Sequence, residues 1–375
     1  MEPYLYIFAL NLFLAYLVEK NFDNNKTLSK LLIVLMIIIN TLFSGLRDIG
    51  VGLDTTIYID SYFYTASNLT SFKELINIDL DKGYLILAYL ASVFSDDSQS
   101  LLFATAFFIN FFILVAFGKY RRILGINFFV ATLLFCVIYY CHTLNLMRQY
   151  CAISLLTFGF TYFIEKKIYT YFFIQLIAFF LHSTSIFFII IPLLWIVSEM
   201  QNSIKRNLLT VGSLFLFIIF IIFYFYFLSF FGDLGLVSEV YAERYGANSD
   251  YVNNTTSSGT GLGTAFSILF PIAFVYYGYH RECINSREFY LLIMLSILAS
   301  LIELLGKYVD YVSRLAMYLS FFYYILHTKL LTSKKINILL RLLIILMYVF
   351  TSYKIFVVGK GGDVIPYKSK ILNIK

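Results

Sequence analysis

Three arginines stand where a charge is costly: Arg47, Arg148 and Arg314 each lie at the edge of a long apolar run. A guanidinium in that position needs an anionic partner or ligand, and its planar fork matches phosphate oxygens. The first belongs to the stretch Ser44-Gly-Leu-Arg47-Asp-Ile-Gly-Val-Gly-Leu-Asp54-Thr-Thr-Ile-Tyr58. Gly50 and Gly52 permit a tight turn there, and Asp54 and Tyr58 follow at i, i+4 spacing on one helical face. The plainer alternative is an Arg47–Asp54 ion pair that staples the loop. A second group is His142-Thr-Leu-Asn145-Leu-Met-Arg148-Gln149, in which Asn145, Arg148 and Gln149 share an i, i+3, i+4 stripe entering an apolar run. That stripe predicts a lined cavity; a snorkelling arginine with incidental amides is the competing reading. A third is His182-Ser-Thr-Ser185, inside a 31-residue stretch with no formal charge. Such a histidine is either reachable by water or satisfied within a turn. The fourth is Arg314, for which Glu303 in the preceding apolar run is an alternative, purely structural partner.

Together these residues fit binding of a phosphate or pyrophosphate by arginines, with Asp54, His182 and Tyr58 supplying general-base and orienting groups. His280 and His327 fall beside basic loops and read as solvated. The cysteines Cys136, Cys141, Cys151 and Cys283 form no CxxC and have no His at ligand spacing, so they read as inert thiols. No metal site and no cofactor is expected. A Walker loop, a GxGxxG and a GxSxG are all missing, which removes the sequence support for ATP-driven, dinucleotide and hydrolase-elbow chemistry.

The elements that must position these groups are membrane helices. Of 375 residues 60% are hydrophobic and only 13% charged, with a mean hydropathy of +0.81. A soluble domain carries about a quarter charged residues, so lipid must solvate most of this apolar surface. The 41 Phe and 32 Tyr suit interfacial rings. The net charge of +6 is scattered through short loops and predicts no nucleic-acid partner. Apolar runs fall at about 3–19, 31–46, 100–118, 126–141, 147–164, 168–181, 184–198, 208–231, 263–279, 289–305, 312–328 and 337–358. The expected fold is therefore all-α, a polytopic membrane protein of about 12 spans forming one transmembrane domain over 1–375. The first run lacks a basic flank and a small-residue cleavage site, and reads as a retained helix. The segment 84–95 is too short to span and reads as re-entrant or interfacial.

With the N-terminus outside, sixteen Lys and Arg fall in inside loops or at the start of the last helix, and seven in outside loops before the tail. That is the asymmetry of the positive-inside rule. The tail adds five lysines outside. A spanning 84–95 would invert every later loop. Two outside loops are long. Residues 47–99 carry eight acids and read as short amphipathic helices, and 232–262 hold a Ser/Thr/Asn/Gly stretch that reads as a mobile loop. All four polar groups fall on the outer face under this topology. No internal repeat is visible, which argues against transporters built from two related halves.

The ordered motifs resemble the EpsG family of polysaccharide-synthesis membrane proteins, related to Wzy-type O-antigen and capsule polymerases. They are Ser-Gly-Leu-Arg47 with Gly52-x-Asp54-x-x-x-Tyr58, Lys82-Gly83-Tyr84, Asn145-x-x-Arg148-Gln149, His182-x-x-Ser185, Arg314, and a tail ending in Pro366-Tyr367. The resemblance implies a glycosyltransferase that joins undecaprenyl-pyrophosphate-linked oligosaccharide repeat units on the outer face of the bacterial cytoplasmic membrane, without a nucleotide sugar. Its partners would be that lipid-linked oligosaccharide, the surrounding membrane lipids, and a chain-length regulator and flippase of the same pathway. On this reading Arg47 and Arg148 hold pyrophosphate with Arg314 in support, and Asn145, Gln149, Tyr58 and Ser185 complete the substrate contacts. His182 or Asp54 is then the base. A lipid-linked oligosaccharide flippase, an O-antigen ligase and a scaffold of the export complex are the rival readings.

Overall fold

The computed structural model describes residues 1–200, 272–305 and 310–374, with scattered positions between 204 and 230. The expected loop 232–262, most of the runs 208–231 and 263–279, Arg244 and Lys307 lie outside the described residues. The described chain is helical, and its strand-like pairing is a lone bridge between Ser369 and Ile374. It divides into two compact units, one of residues 1–78, 82–182 and 337–375, the other of 79–81 and 183–336.

The first unit begins with α1 (Glu2–Asn21) and α2 (Lys26–Gly45), which pack side by side. Asn11 and Asn40, each 1% exposed, exchange amide hydrogen bonds of 2.6 and 3.0 Å between them. In lipid such a pair fixes the register of two helices, because neither amide has water to turn to. A run of short pieces follows: α3 (Thr55–Tyr58), a wider π turn (Ile59–Phe63), α4 (Tyr64–Ser67) and a 3₁₀ turn (Phe72–Asn77). Next is α5 (Lys82–Phe94), whose 13 residues reach about 20 Å, short of a hydrocarbon core of about 30 Å. Beyond it, α6 (Gln99–Leu124) packs on α2, on α5 and on α9 (Met147–Ile164). Between them lie α7 (Phe128–Leu134), a π turn (Phe135–Tyr139) and α8 (Tyr140–Asn145). α10 (Ile168–Leu181) lies against α9 and α5. The unit closes with α14 (Ile338–Tyr353), a π turn (Lys354–Val358) and a 3₁₀ turn (Gly361–Asp363).

Helix starts follow local signals. Asn25, Asn127 and Asn337 precede α2, α7 and α14, and their side chains accept from Leu28, Val130 and Leu339 N–H at 3.0, 3.0 and 2.8 Å. Each thereby satisfies a donor that the first helical turn leaves unpaired. Gly125, at φ +68°, ends α6 in the left-handed conformation.

One end of this unit is basic. Arg121 of α6 pairs with Glu19 and Asp23 at 2.9 Å each, and Glu19 also accepts from Phe128 N–H at 2.7 Å. Lys119 sits 3.5 Å from the Tyr162 ring centre, beside Lys167, which pairs with Glu165 at 2.9 Å. The loops after α1, α6 and α9 are thus gathered together, as the alternation of cations predicts. The polar motifs occupy the opposite ends of these helices.

In the second unit a 3₁₀ turn (Ser183–Ile189) leads into α11 (Ile190–Ser198), followed after a helical stretch at 272–280 by α12 (Ser286–Leu305) and α13 (Asp310–Thr332). α12 packs on α13 and on α11, and the Thr184 and Tyr318 hydroxyls meet at 3.1 Å. Lys329 pairs with Glu288, and Lys335 with Glu282 at 3.0 Å.

Among the described residues four helical segments are long and apolar enough to cross a membrane: Lys26–Gly45, Gln99–Leu124, Phe128–Asn145 and Ile338–Val358. Shorter apolar helices accompany them. The chain is an all-α membrane protein.

Candidate functional site

The site is built around the end of α2. The last carbonyls of a helix have no partner within it and must find donors elsewhere. Here four side chains from three places supply them. Arg47 donates to the Ser44 carbonyl, Gln99 to that of Gly45, Tyr367 to Phe43 at 2.7 Å and Ser369 to Leu46 at 2.6 Å. Burial pushes the Tyr367 phenol up to about 12, so it stays a protonated donor across physiological pH.

Arg47 is 2% exposed. Besides Ser44 it donates to the Leu144 carbonyl at 3.0 Å, the Val51 carbonyl at 3.3 Å and the Met147 sulfur at 3.1 Å. Ser44 lies in the last turn of α2 and Leu144 in the last turn of α8, so one cation answers the negative ends of two helices. Burial pulls the guanidinium below its ordinary value, but that value is high enough for the group to remain charged. Its donors are directed at the protein's own backbone. Gly52 sits beside it at φ +101°, where an added Cβ would lie 2.7 Å from the Leu144 carbonyl oxygen. Thr55 also donates to the Val51 and Leu144 carbonyls at 3.1 and 3.3 Å. Much of the Ser44–Tyr58 motif is therefore the joint between α2, α3 and α8.

Asn145, Arg148 and Gln149 do not share one continuous helical face. Leu146, at φ −86° and ψ 53°, breaks the helix, so Asn145 ends α8 while Arg148 and Gln149 lie in the first turn of α9. At the break the Leu144 carbonyl accepts from Arg47 and Thr55. Spacing in sequence assumed an unbroken 3.6-residue period. Asn145 instead uses its side-chain oxygen to accept the Asp54 N–H at 2.8 Å, tying α8 to the start of α3. Gln149 is 2% exposed.

Arg148 is half-buried. It donates to the Tyr62 hydroxyl, and its guanidinium carbon stands 5.3 and 5.1 Å from the Tyr58 and Tyr62 ring centres. Stacking of this kind orients a planar cation while leaving its edge for hydrogen bonds. Beneath them Tyr84, fully buried, packs at 5.7 Å from Tyr58 and 5.2 Å from Tyr62, its hydroxyl 3.1 Å from that of Thr105. Tyr62 was not among the residues singled out by sequence, although it stands four residues after Tyr58. The intervening π turn is the kind of local widening that recurs at functional sites.

The Lys82-Gly83-Tyr84 motif has three local tasks. The Lys82 ammonium donates to the carbonyls of Leu75 at 3.3 Å, Ile76 at 2.9 Å and Ile78, closing the preceding 3₁₀ turn. Gly83 lets α5 meet the end of α10, since a Cβ there would lie 2.7 Å from Phe180 and Leu181 backbone atoms. Tyr84 supports the tyrosines under Arg148. His182, 8% exposed, follows α10 in an extended conformation, its N–H donating to the Ala178 carbonyl at 3.0 Å.

The first unit thus brings together Arg47, Asp54, Tyr58, Asn145, Arg148 and Gln149, with His182 at its boundary. Ser185, fully buried, and Arg314, half-buried in the second turn of α13, belong to the second unit.

No curated protein and no solved structure matches the chain. A protein family does, over residues 3–369, a span that includes every motif described above. On that match, and with apolar helices framing a cluster of arginine, tyrosine and amide side chains, the chain belongs to the EpsG family of polysaccharide-biosynthesis membrane proteins.

Proposed function

We propose that the protein is a polysaccharide polymerase, a glycosyltransferase that joins lipid-pyrophosphate-linked oligosaccharide repeat units at the outer face of the bacterial cytoplasmic membrane. Arg148 carries the reading: a half-buried guanidinium in the first turn of α9, oriented by two tyrosine rings and a tyrosine hydroxyl. The first turn of a helix also favours anions through its unpaired N–H groups.

In the reaction the hydroxyl oxygen of the acceptor sugar bonds to the anomeric carbon of the donor. The bond from that carbon to the pyrophosphate oxygen breaks, and the electron pair leaves with the undecaprenyl pyrophosphate. Arg148 stabilises the charge that develops there, with Gln149 in support. Asp54 or His182 takes the hydroxyl proton. Pyrophosphate is a competent leaving group, so an obligatory general acid is not needed. Arg47 acts at one remove, holding α8 and the 46–54 turn so that Arg148 and Asp54 face the substrate. Tyr58 and Asn145 complete the lining.

The test is deletion of the gene followed by gel analysis of surface glycan, with wild-type and Arg148→Ala protein returned at equal membrane abundance. The deletion should leave single repeat units on the surface and Arg148→Ala should restore no long chains. Complete loss of surface repeat units would instead indicate a flippase, and full-length chains with Arg148→Ala would remove the arginine from the chemistry.

A further inference from the structure

The last sixteen residues of the described chain, 359–374, run back across the turn that follows α2. The Asp48 N–H donates to the Lys368 carbonyl at 2.8 Å, and the Asp48 carboxylate accepts from Lys370 N–H at 2.7 Å. Gly52 N–H donates to the Asp363 carbonyl at 3.2 Å and Leu53 N–H to the Gly362 carbonyl at 2.8 Å. The hydroxyls of Tyr367 and Ser369 cap α2 through the Phe43 and Leu46 carbonyls. Below, Tyr367 stacks on Phe43 at 4.3 Å and meets Tyr4 edge-on at 5.8 Å, and the Tyr4 hydroxyl donates to the Val364 carbonyl. Two chain ends and the α2 turn therefore close on one aromatic cluster.

A second observation connects this strap to the site. Gly362, at φ +68°, lies so close to Asn145 that an added Cβ would be 2.9 Å from its amide carbon and nitrogen. That amide accepts the Asp54 N–H at the start of α3, and α3 carries Tyr58 toward the π turn that holds Tyr62. Contact therefore runs from the strap through Asn145 and the 46–54 turn to the two tyrosines on Arg148.

We propose that residues 359–374 are a positioning element of the candidate site, with Gly362, Tyr367 and Ser369 as its positioning residues. The strap sets the 46–54 turn and the Asn145 amide, and through them the placement of Asp54 and Arg148. This rests on the polymerase reading above.

The test uses the full-length protein carrying Val51→Cys, a position 1% exposed and flanked by residues the strap holds. To it are added Gly362→Ala, Ser369→Ala, Ser369→Thr, Tyr367→Phe, or a stop after Lys360. Labelling of the thiol introduced by Val51→Cys with a membrane-impermeant maleimide and glycan chain length are read at matched membrane abundance, with the protein that keeps Val51 as the labelling blank. Gly362→Ala and the truncation should raise the labelling rate about tenfold or more and shorten the glycan. Tyr367→Phe and Ser369→Ala should do so to a lesser degree, and Ser369→Thr should restore both. Should the truncated chain fail to reach the membrane, the point variants give the answer. Faster labelling with chains of wild-type length overturns the proposal, because the strap would then hold a turn that the reaction does not use. So does an unchanged labelling rate. Arg148→Ala separates the two readings: if it shortens the glycan while the strap variants do not, only the strap proposal fails. If it does not, both fail.

Discussion

At the scale of single residues, the arginines divide by what their donors face. Arg47 donates to three backbone carbonyls and a sulfur, all buried. Its replacement by Ala leaves the ends of two helices unanswered, and each buried acceptor left without its donor costs about 1–3 kcal/mol. Arg47→Ala should therefore lower membrane abundance and thermal stability in detergent. Arg47→Lys should behave similarly, because the Val51, Ser44 and Leu144 carbonyls are each met by a different guanidinium nitrogen, a fork that a single Nζ does not reproduce. Arg148→Ala should instead lower the melting temperature less than Arg47→Ala does, while ending polymer growth. Reversal of that pattern, with Arg47→Ala stable and inactive and Arg148→Ala unstable, would exchange the two roles. Gly52→Ala adds a Cβ against the Leu144 carbonyl at φ +101°, a strain of order 1–3 kcal/mol. A scan of unfolding temperature should register it.

At the scale of elements, the short pieces between α2 and α6 carry Asp54, Tyr58, Tyr62 and Tyr84 of the candidate site, although none is long enough to cross a membrane. Tyr62 leaves the π turn to accept from Arg148. Tyr62→Phe keeps the ring under the guanidinium and removes the oxygen. A hydrogen bond to a charged group contributes about 1.5–3 kcal/mol, so the Michaelis constant for the lipid-linked substrate should rise roughly tenfold or more. An unchanged constant, measured with purified protein and synthetic lipid-linked donor, would exclude Tyr62 from positioning Arg148. Gly83→Val pushes a branched side chain into the Phe180–Leu181 backbone. It should part α5 from α10 and reduce stability and polymer length together.

At the scale of the whole molecule, the asymmetry of the helix ends predicts a measurable orientation. In the first unit the Glu19–Arg121–Asp23 cluster and the lysines near Tyr162 mark one end, and the 46–54 turn with the strap marks the other. The single variants Asp97→Cys and Asn24→Cys, both at exposed positions, should respond oppositely to an impermeant maleimide on intact cells. The Asp97→Cys protein should be labelled at once and the Asn24→Cys protein only after permeabilisation, and the reverse would turn the site toward the cytoplasm.

Membrane solvation, the apolar runs that the described helices occupy and the grouping of basic loops were legible in the chain itself. They depend on composition and on neighbours within one helical turn, and such signals survive without knowledge of the fold. The motifs that bear the candidate site were also visible, and so was their family. Their division of labour was not. Whether a guanidinium meets a phosphate or a carbonyl depends on which helix ends lie around it, and the acceptors of Arg47 include Leu144 and Met147, about a hundred residues away in sequence. At the break at Leu146 the helix-end carbonyl of Leu144 is likewise claimed from far along the chain, by Arg47 and Thr55, which no local periodicity encodes. Only tertiary structure could show that the terminal Tyr367 and Ser369 cap α2, because a cap is recognisable in sequence when it comes from the adjoining residues and not when it arrives from the far end of the chain.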